Sequence, residues 1–245
     1  MKKILLLPAL LFALAVSAQE NTSGKVIYEQ TVKLEIKLEG DAAQFADMLP
    51  KERKSNKVLY FNPEVSLYQN GESDDSQSME SNGGNVTIQL KEPENKVFTD
   101  LQKKTQIEQR EFMTRMFLIE GNSPVNWKMT GNQKMILDYP CQEAVTEIDS
   151  LPLSAWFTPA IPVSAGPASY SGLPGLILEI NSNNGSRTIV ATSIDFESPD
   201  KELLEVPKKG KKVSREEFTQ IMDEKMKEMG GQSGNGTHMM IRIER

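Results

Sequence analysis

The stretch Lys25-Val26-Ile27-Tyr28-Glu29-Gln30-Thr31-Val32-Lys33-Leu34-Glu35-Ile36-Lys37-Leu38 decides the fold. Its even positions are Val26, Tyr28, Gln30, Val32, Leu34, Ile36 and Leu38, and its odd positions are mainly charged or polar. A period of two marks a strand with one buried and one wet face. At about 3.3 Å per residue such a strand would reach roughly 45 Å. That is too long to lie flat, so the sheet that holds it is expected to be strongly twisted or half-rolled.

On its N-terminal side, Met1-Lys2-Lys3 precedes an uncharged apolar run over residues 4–16 and the small-residue end Ser17-Ala18. This is the pattern of a secretory signal peptide occupying residues 1–18, and it predicts a periplasmic or secreted protein of the cell envelope. The apolar run is shorter than the roughly 18 to 20 residues a spanning helix needs, and no later stretch approaches that length, so no transmembrane segment is expected. Residues 19–245 read as a single β-rich domain. The chain holds 34 acidic residues against 28 Lys and Arg, and losing Lys2 and Lys3 moves its net charge from −6 to −8. Without a basic stripe to neutralise phosphates, nucleic acid is excluded as a partner.

On its C-terminal side, residues 41–49 are predicted as a short helix with Asp41 as N-cap and Pro50 as stop. Residues 57–61 and 65–69 form a hairpin around Asn62-Pro63. Residues 71–85, with Glu72, Asp74, Asp75 and Glu80 around an Asn82-Gly83-Gly84 turn, read as a flexible acidic loop. Residues 86–90, 96–100, 105–110 and 112–119 continue as an antiparallel meander. Strands at 126–130, 134–137 and 141–148 follow, with turns at Gly131-Asn132 and Tyr139-Pro140. Residues 176–181 and 187–196 pair through Asn183-Asn184-Gly185. Residues 199–213 read as a solvated linker. Ser214 and Glu217 form a capping box that opens an amphipathic helix with Phe218, Ile221, Met222, Met226 and Met229 on one stripe. After a glycine-rich segment, 230–236, the alternation of Met239, Ile241 and Ile243 predicts an edge strand.

Two unusual blocks interrupt this meander. Residues 155–167 carry Trp156 and Phe157 followed by Pro159, Pro162 and Pro167. Then Ser171-Gly172-Leu173-Pro174-Gly175-Leu176-Ile177 forms a corner in which Pro174 fixes its own φ and two glycines permit angles other residues resist. The hexapeptide over residues 172–177, together with Ala155-Trp156-Phe157-Thr158-Pro159, Ile161-Pro162, Gly166-Pro167 and Tyr139-Pro140-Cys141, resembles the GLPGLI family. That resemblance implies a secreted envelope protein of unknown biochemical function.

The inventory for catalysis is thin. His238 is the only histidine and Cys141 the only cysteine, and no nucleophile elbow, phosphate loop or dinucleotide fingerprint is present. Cys141 reads as a small buried apolar residue. No cofactor is expected. Met222, Met226, Met229, His238, Met239 and Met240 offer soft donors for a copper-type site, although methionines at helical spacing are also ordinary packing residues. The stiff aromatic and proline surface admits two readings, a rigid plug closing one end of the sheet or an apolar lip beside a concavity. On the second reading Trp156, Phe157, Pro159, Ile161, Tyr170, Gly172, Leu173, Pro174 and Gly175 would bind an apolar small molecule, lipid or protein segment.

The expected fold is therefore α+β and β-rich. It is a single curved, mainly antiparallel, half-open barrel-like sheet, with a short helix in the N-terminal half and an amphipathic helix near the C-terminus. The expected function is that of an exported, non-enzymatic envelope protein binding an apolar ligand. A metal-handling protein and an accessory interaction subunit of an outer-membrane system are the alternatives.

Overall fold

A computed structural model describes residues 21–38, 51–71, 92–122, 125–148, 150–231 and 239–243. The strands are β1 (Gly24–Leu38), β2 (Glu52–Phe61), β3 (Val65–Asn70), β4 (Asn95–Asp100), β5 (Thr105–Phe112), β6 (Arg115–Asn122), β7 (Lys128–Ile136), β8 (Tyr139–Ile148), β9 (Leu151–Thr158), β10 (Leu176–Ser182), β11 (Arg187–Asp195), β12 (Lys211–Ser214) and β13 (Met239–Ile243). Helix α1 covers Arg215–Gly231. Twelve of the strands lie on one path in the order β12-β6-β5-β4-β3-β2-β1-β11-β10-β9-β8-β7, and β13 pairs with the far half of β1. The molecule is thus one open, mixed sheet with a C-terminal helix. Among the described strands only β12 against β6 is parallel.

The long strand read from the sequence lies in the middle of this order. Along β1, Val26, Tyr28, Gln30 and Val32 are buried while Ile27, Glu29 and Thr31 between them are half-exposed. A register shift between Ile27 and Tyr28 leaves Thr192 as an extra residue on β11, a bulge that increases the local twist of the pair. Because directly opposed residues share a face, the register carries one inner row from Val26 through Leu59, Tyr68, Val97 and Glu108 to Ile119.

That inner face is covered in two places. Residues 159–175, between β9 and β10, cross it as a compact segment: Ile161, Val163, Ala165 and Leu173 are at most 2% exposed and pack with Tyr28, Phe61 and Phe157. The segment satisfies its own backbone groups. Leu176 N donates to Ile161 O at 3.0 Å, Ile177 N to Ala165 O at 3.0 Å and Gly172 N to Ser164 O at 3.1 Å. It is tied to distant strands as well, since the Tyr28 hydroxyl donates to Ile177 O at 2.6 Å and Gln106 Nε2 to Ser169 O at 2.9 Å. At the other end, α1 lays Phe218 against Phe112 and Phe117 in edge-to-face contacts of 6.0 and 5.3 Å. Val213 and Ile119 complete this smaller cluster.

The hairpins at 62–64 and 183–185 form as read. Asn62 Oδ1 accepts from Glu64 N and Val65 N, both at 2.8 Å. The capping box is present in both directions: Ser214 N donates to Glu217 Oε2 at 2.8 Å and Glu217 N to Ser214 Oγ at 3.1 Å.

Several local expectations change. Residues 126–130 and 134–137 merge into the single strand β7, with Gly131-Asn132 inside a bulge rather than a turn. The following turn falls on Leu137 and Asp138, at φ 48° and 63°, and Tyr139-Pro140 opens β8 instead. The proline-rich block begins inside β9, where Pro152 is tolerated near the strand's start. The end of the expected 199–213 linker is β12, which closes the edge of β6 with a short, lysine-bearing strand. Helix α1 runs on through Gly230 and Gly231. The signal peptide 1–18, the 41–49 helix, residues 72–85 of the acidic loop, the 86–90 strand and His238 lie outside the described residues.

Candidate functional site

The nine residues of the expected apolar lip do not share one surface. Phe157, Ile161 and Leu173 are at most 1% exposed, inside the main core. Gly175 is also buried, Tyr170 is half-buried, and Pro159, Gly172 and Pro174 are exposed. Trp156, between Ala155 and Phe157 in an extended strand, faces the other way. There the Lys134 ammonium lies 4.3 Å from its ring centroid and pairs with Glu179 at 2.5 Å. Phe157, Ile161 and Leu173 thus fill space in the core, as the plug reading expects of them.

A different group of side chains stands out at the polar end of the inner face. Lys57 opposes Tyr28 on β1 and Asn70 on β3, so it occupies the apolar parity of β2 with Leu59 and Phe61. It is 4% exposed. Its ammonium reaches Glu92 Oε1 at 2.6 Å and donates to Asn70 Oδ1 at 2.8 Å. Arg53 Nη2 donates to the same Glu92 oxygen at 3.1 Å, while Asn70 Nδ2 donates to Pro93 O at 3.0 Å. Arg187 opposes Val32 and thus extends the same face on β11. Its Nη2 donates to Gln30 Oε1 at 2.8 Å, but its buried Nε has no hydrogen-bond partner among the described residues. The Tyr68 hydroxyl, on a residue 4% exposed, also has none.

Electrostatics join these groups into one site. Burial lowers the Lys57 pKa from its ordinary value, opposed by Glu92 and reinforced by Arg53 and Arg187. Burial raises that of Tyr68, with Arg187 pulling it down and Glu92 pushing it up. Lys57 and Arg53 therefore share one carboxylate, while Arg187 bonds the neutral Gln30 amide oxygen. The arrangement can hold an anion or a polar group. Sequence reasoning missed it because a lysine and two arginines on strands, far apart in the chain, look like solvated faces. The one available signal was parity: Lys57 falls on the positions of β2 that alternate with the wet ones.

The remaining chemistry candidates are quiet. Burial pushes the Cys141 thiol up to about 11. Among the described residues, no group of three or more His, Cys, Asp or Glu could hold a metal ion. Met222 packs beside the Phe117 cluster and Met226 is exposed, while the side chains of Met229, Met239 and Met240 lie outside the described residues. No described helix is long and apolar enough to cross a membrane.

The fold and site together define an open, mixed β-sheet protein with an internal plug and a half-buried cationic cluster. A family model described as a protein of unknown function (Porph_ging) matches residues 146–179, the span from the end of β8 through β9 and the plug into β10. No curated protein matches. Two solved structures of PNGF-II, in space groups P21 and C2, are similar at TM-score 0.52 and 18% identity over 80% of this chain. The chain spans only about a third of their length, 33% and 32%. At that identity the likeness is one of fold.

Proposed function

We propose that this chain is an exported, non-enzymatic binding module of the cell envelope. It receives an apolar small molecule, lipid or protein segment in the concavity of its sheet, which curves as a half-open barrel. The signal-peptide pattern and the GLPGLI resemblance support export and envelope residence. The observation that carries the binding reading is that three buried side-chain polar atoms lack a hydrogen-bond partner among the described residues, Tyr68 Oη, Asn95 Oδ1 and Arg187 Nε, of which Tyr68 Oη and Arg187 Nε are donors on the inner face. Buried polar groups in a completed core are paired almost without exception, so two orphans on one face support a site that a ligand completes.

The test is native mass spectrometry of protein taken from its own envelope, read before and after denaturation. The expected result is an added mass of several hundred daltons that is lost on unfolding. A bare polypeptide, in protein purified without detergent or extraction, would sink the reading.

A second reading, an interaction subunit, is favoured by β7. It ends the strand order, and most of its residues are exposed, with Met129 and Met135 at 47% and 63%. Such an edge can add a strand from a partner. Cross-linking in intact cells through residue 129 should trap one partner, and a diffuse pattern would remove this alternative.

A further inference from the structure

We infer that the cluster of Arg53, Lys57, Arg187 and Tyr68 is an oxyanion site, and that the polar end of the bound ligand is a carboxylate or a phosphate; this rests on the binding-module reading.

The argument is one of charge and of donors. Glu92 Oε1 already serves two cations, Lys57 at 2.6 Å and Arg53 at 3.1 Å. Arg187 is left with a neutral acceptor, the Gln30 amide oxygen at 2.8 Å. A guanidinium held in a protein face without a counter-charge is costly, and a carboxylate or phosphate is the group whose geometry matches its fork of donors. The two unpaired atoms on the cluster, Arg187 Nε and Tyr68 Oη, are both able to donate. A neutral amide or hydroxyl would satisfy them one at a time and leave the excess positive charge in place. One oxyanion neutralises Arg187 and accepts from both. The neighbouring Tyr28, Leu59 and Val97 are buried in the main core, and such apolar surroundings strengthen charge-assisted bonds.

The direct test is calorimetric titration of the full mature chain with inorganic phosphate, acetate, octanoate and octanol as probes, repeated on R187Q, Y68F and the exposed-surface control K208Q. Saturable binding of phosphate or octanoate but not octanol is expected. Arg187→Gln should weaken it about tenfold or more, as loss of a charge-assisted hydrogen bond does. Tyr68→Phe should weaken it several-fold while leaving the unliganded midpoint of unfolding unchanged or higher, because it removes an unpaired buried hydroxyl. A merely structural tyrosine would give the opposite stability change. Phosphate binding without octanoate binding assigns a phosphorylated ligand, and octanoate tighter than acetate assigns an acidic amphiphile. Affinity unchanged in both R187Q and Y68F, or no saturable anion binding at all, overturns the proposal. The two readings fail separately: a neutral ligand released on denaturation, with no anion binding, keeps the binding module and removes the oxyanion site.

Discussion

Replacing Gly175 by alanine should be far more damaging than the same change at Gly172, three residues away in the same corner. A Cβ at Gly175 would stand 2.2 Å from the Thr158 carbonyl oxygen, 2.6 Å from its carbon and 3.0 Å from Pro159 Cα, all backbone atoms. They cannot retreat easily. Thr158 opposes Leu176 in the β9–β10 ladder, its hydroxyl donates to Pro140 O at 2.9 Å, and its carbonyl accepts from Ile161 N at 3.4 Å. Overpacking costs about 1–3 kcal/mol when side chains can yield. Here the strand end must shift and weaken one or two hydrogen bonds worth roughly 1 kcal/mol each, so about 3–5 kcal/mol is expected. At Gly172 the φ is +93° but nothing lies within 4 Å of the added atom. Only the backbone conformation resists, at about 1–2 kcal/mol. In urea, with a slope of about 2 kcal/mol/M, the Gly175→Ala midpoint should fall by roughly 1.5–2.5 M and that of Gly172→Ala by less than about 1 M. Equal shifts for the two variants would refute the close-approach argument.

The plug reading also ranks Ile161→Ala, fully buried, at a loss of about 2–5 kcal/mol and exposed Pro174→Ala within about 0.5 kcal/mol of the parent; chemical denaturation that reversed this order would contradict it. The β5–β6 turn places Met113 and Thr114 at φ 49° and 63°, so Met113→Asn with Thr114→Gly should stabilise by about 1–2 kcal/mol, and an unchanged melting temperature would show that the turn is not strained. The Cys141 thiol, at about 11, should resist alkylation at pH 8 until urea unfolds the chain; full labelling of native protein within minutes would count against its burial. Stability should decline as pH rises above about 8.5, because the folded state holds the Cys141 proton, and above pH 10 the Tyr28 and Tyr68 protons, after the unfolded chain has released them. Lys57 opposes this weakly, its lowered pKa relieving a charge penalty as pH approaches 10, so an alkaline rise in the urea midpoint would mean that the lysine outweighs the three acids.

The sequence made some elements legible because a local rule and the global fold agree there. Alternation in β1, the Asn183-Asn184-Gly185 turn and the Ser214/Glu217 box each state their structure within a few residues. The turns at Met113-Thr114 and Leu137-Asp138 were not legible. Positive φ at four non-glycine residues runs against their intrinsic preference, and the paired strands on either side impose it. The same override displaced the β7–β8 turn from Tyr139-Pro140, where proline seemed to announce it. Strand β12 was hidden because Lys211 and Lys212 face solvent and only Val213 is buried; a parallel partner almost a hundred residues earlier leaves no local trace. The cationic cluster was hidden for a related reason. Arg53, Lys57 and Arg187 acquire meaning only when β2, β1 and β11 are laid side by side in register.

An open sheet this wide has to cover its inner face, and α1 reaches only its β6 end. Residues 159–175 do the rest, and four prolines with the two tightly placed glycines Gly166 and Gly175 let that segment hold a fixed path without regular secondary structure. The stretch matched by the family model, residues 146–179, contains this plug and the strands that grip it, whereas Arg53, Lys57, Tyr68 and Arg187 all lie outside it. On the proposed reading, scaffold and recognition are carried by different parts of the chain, joined through Tyr28, whose hydroxyl donates to the Ile177 carbonyl and whose ring meets Tyr68 at 6.3 Å. Substitutions in the plug should accordingly change stability with little effect on ligand affinity, and those in the cluster the reverse. Tyr28→Phe is the exception, since it loosens the plug and the wall of the site together.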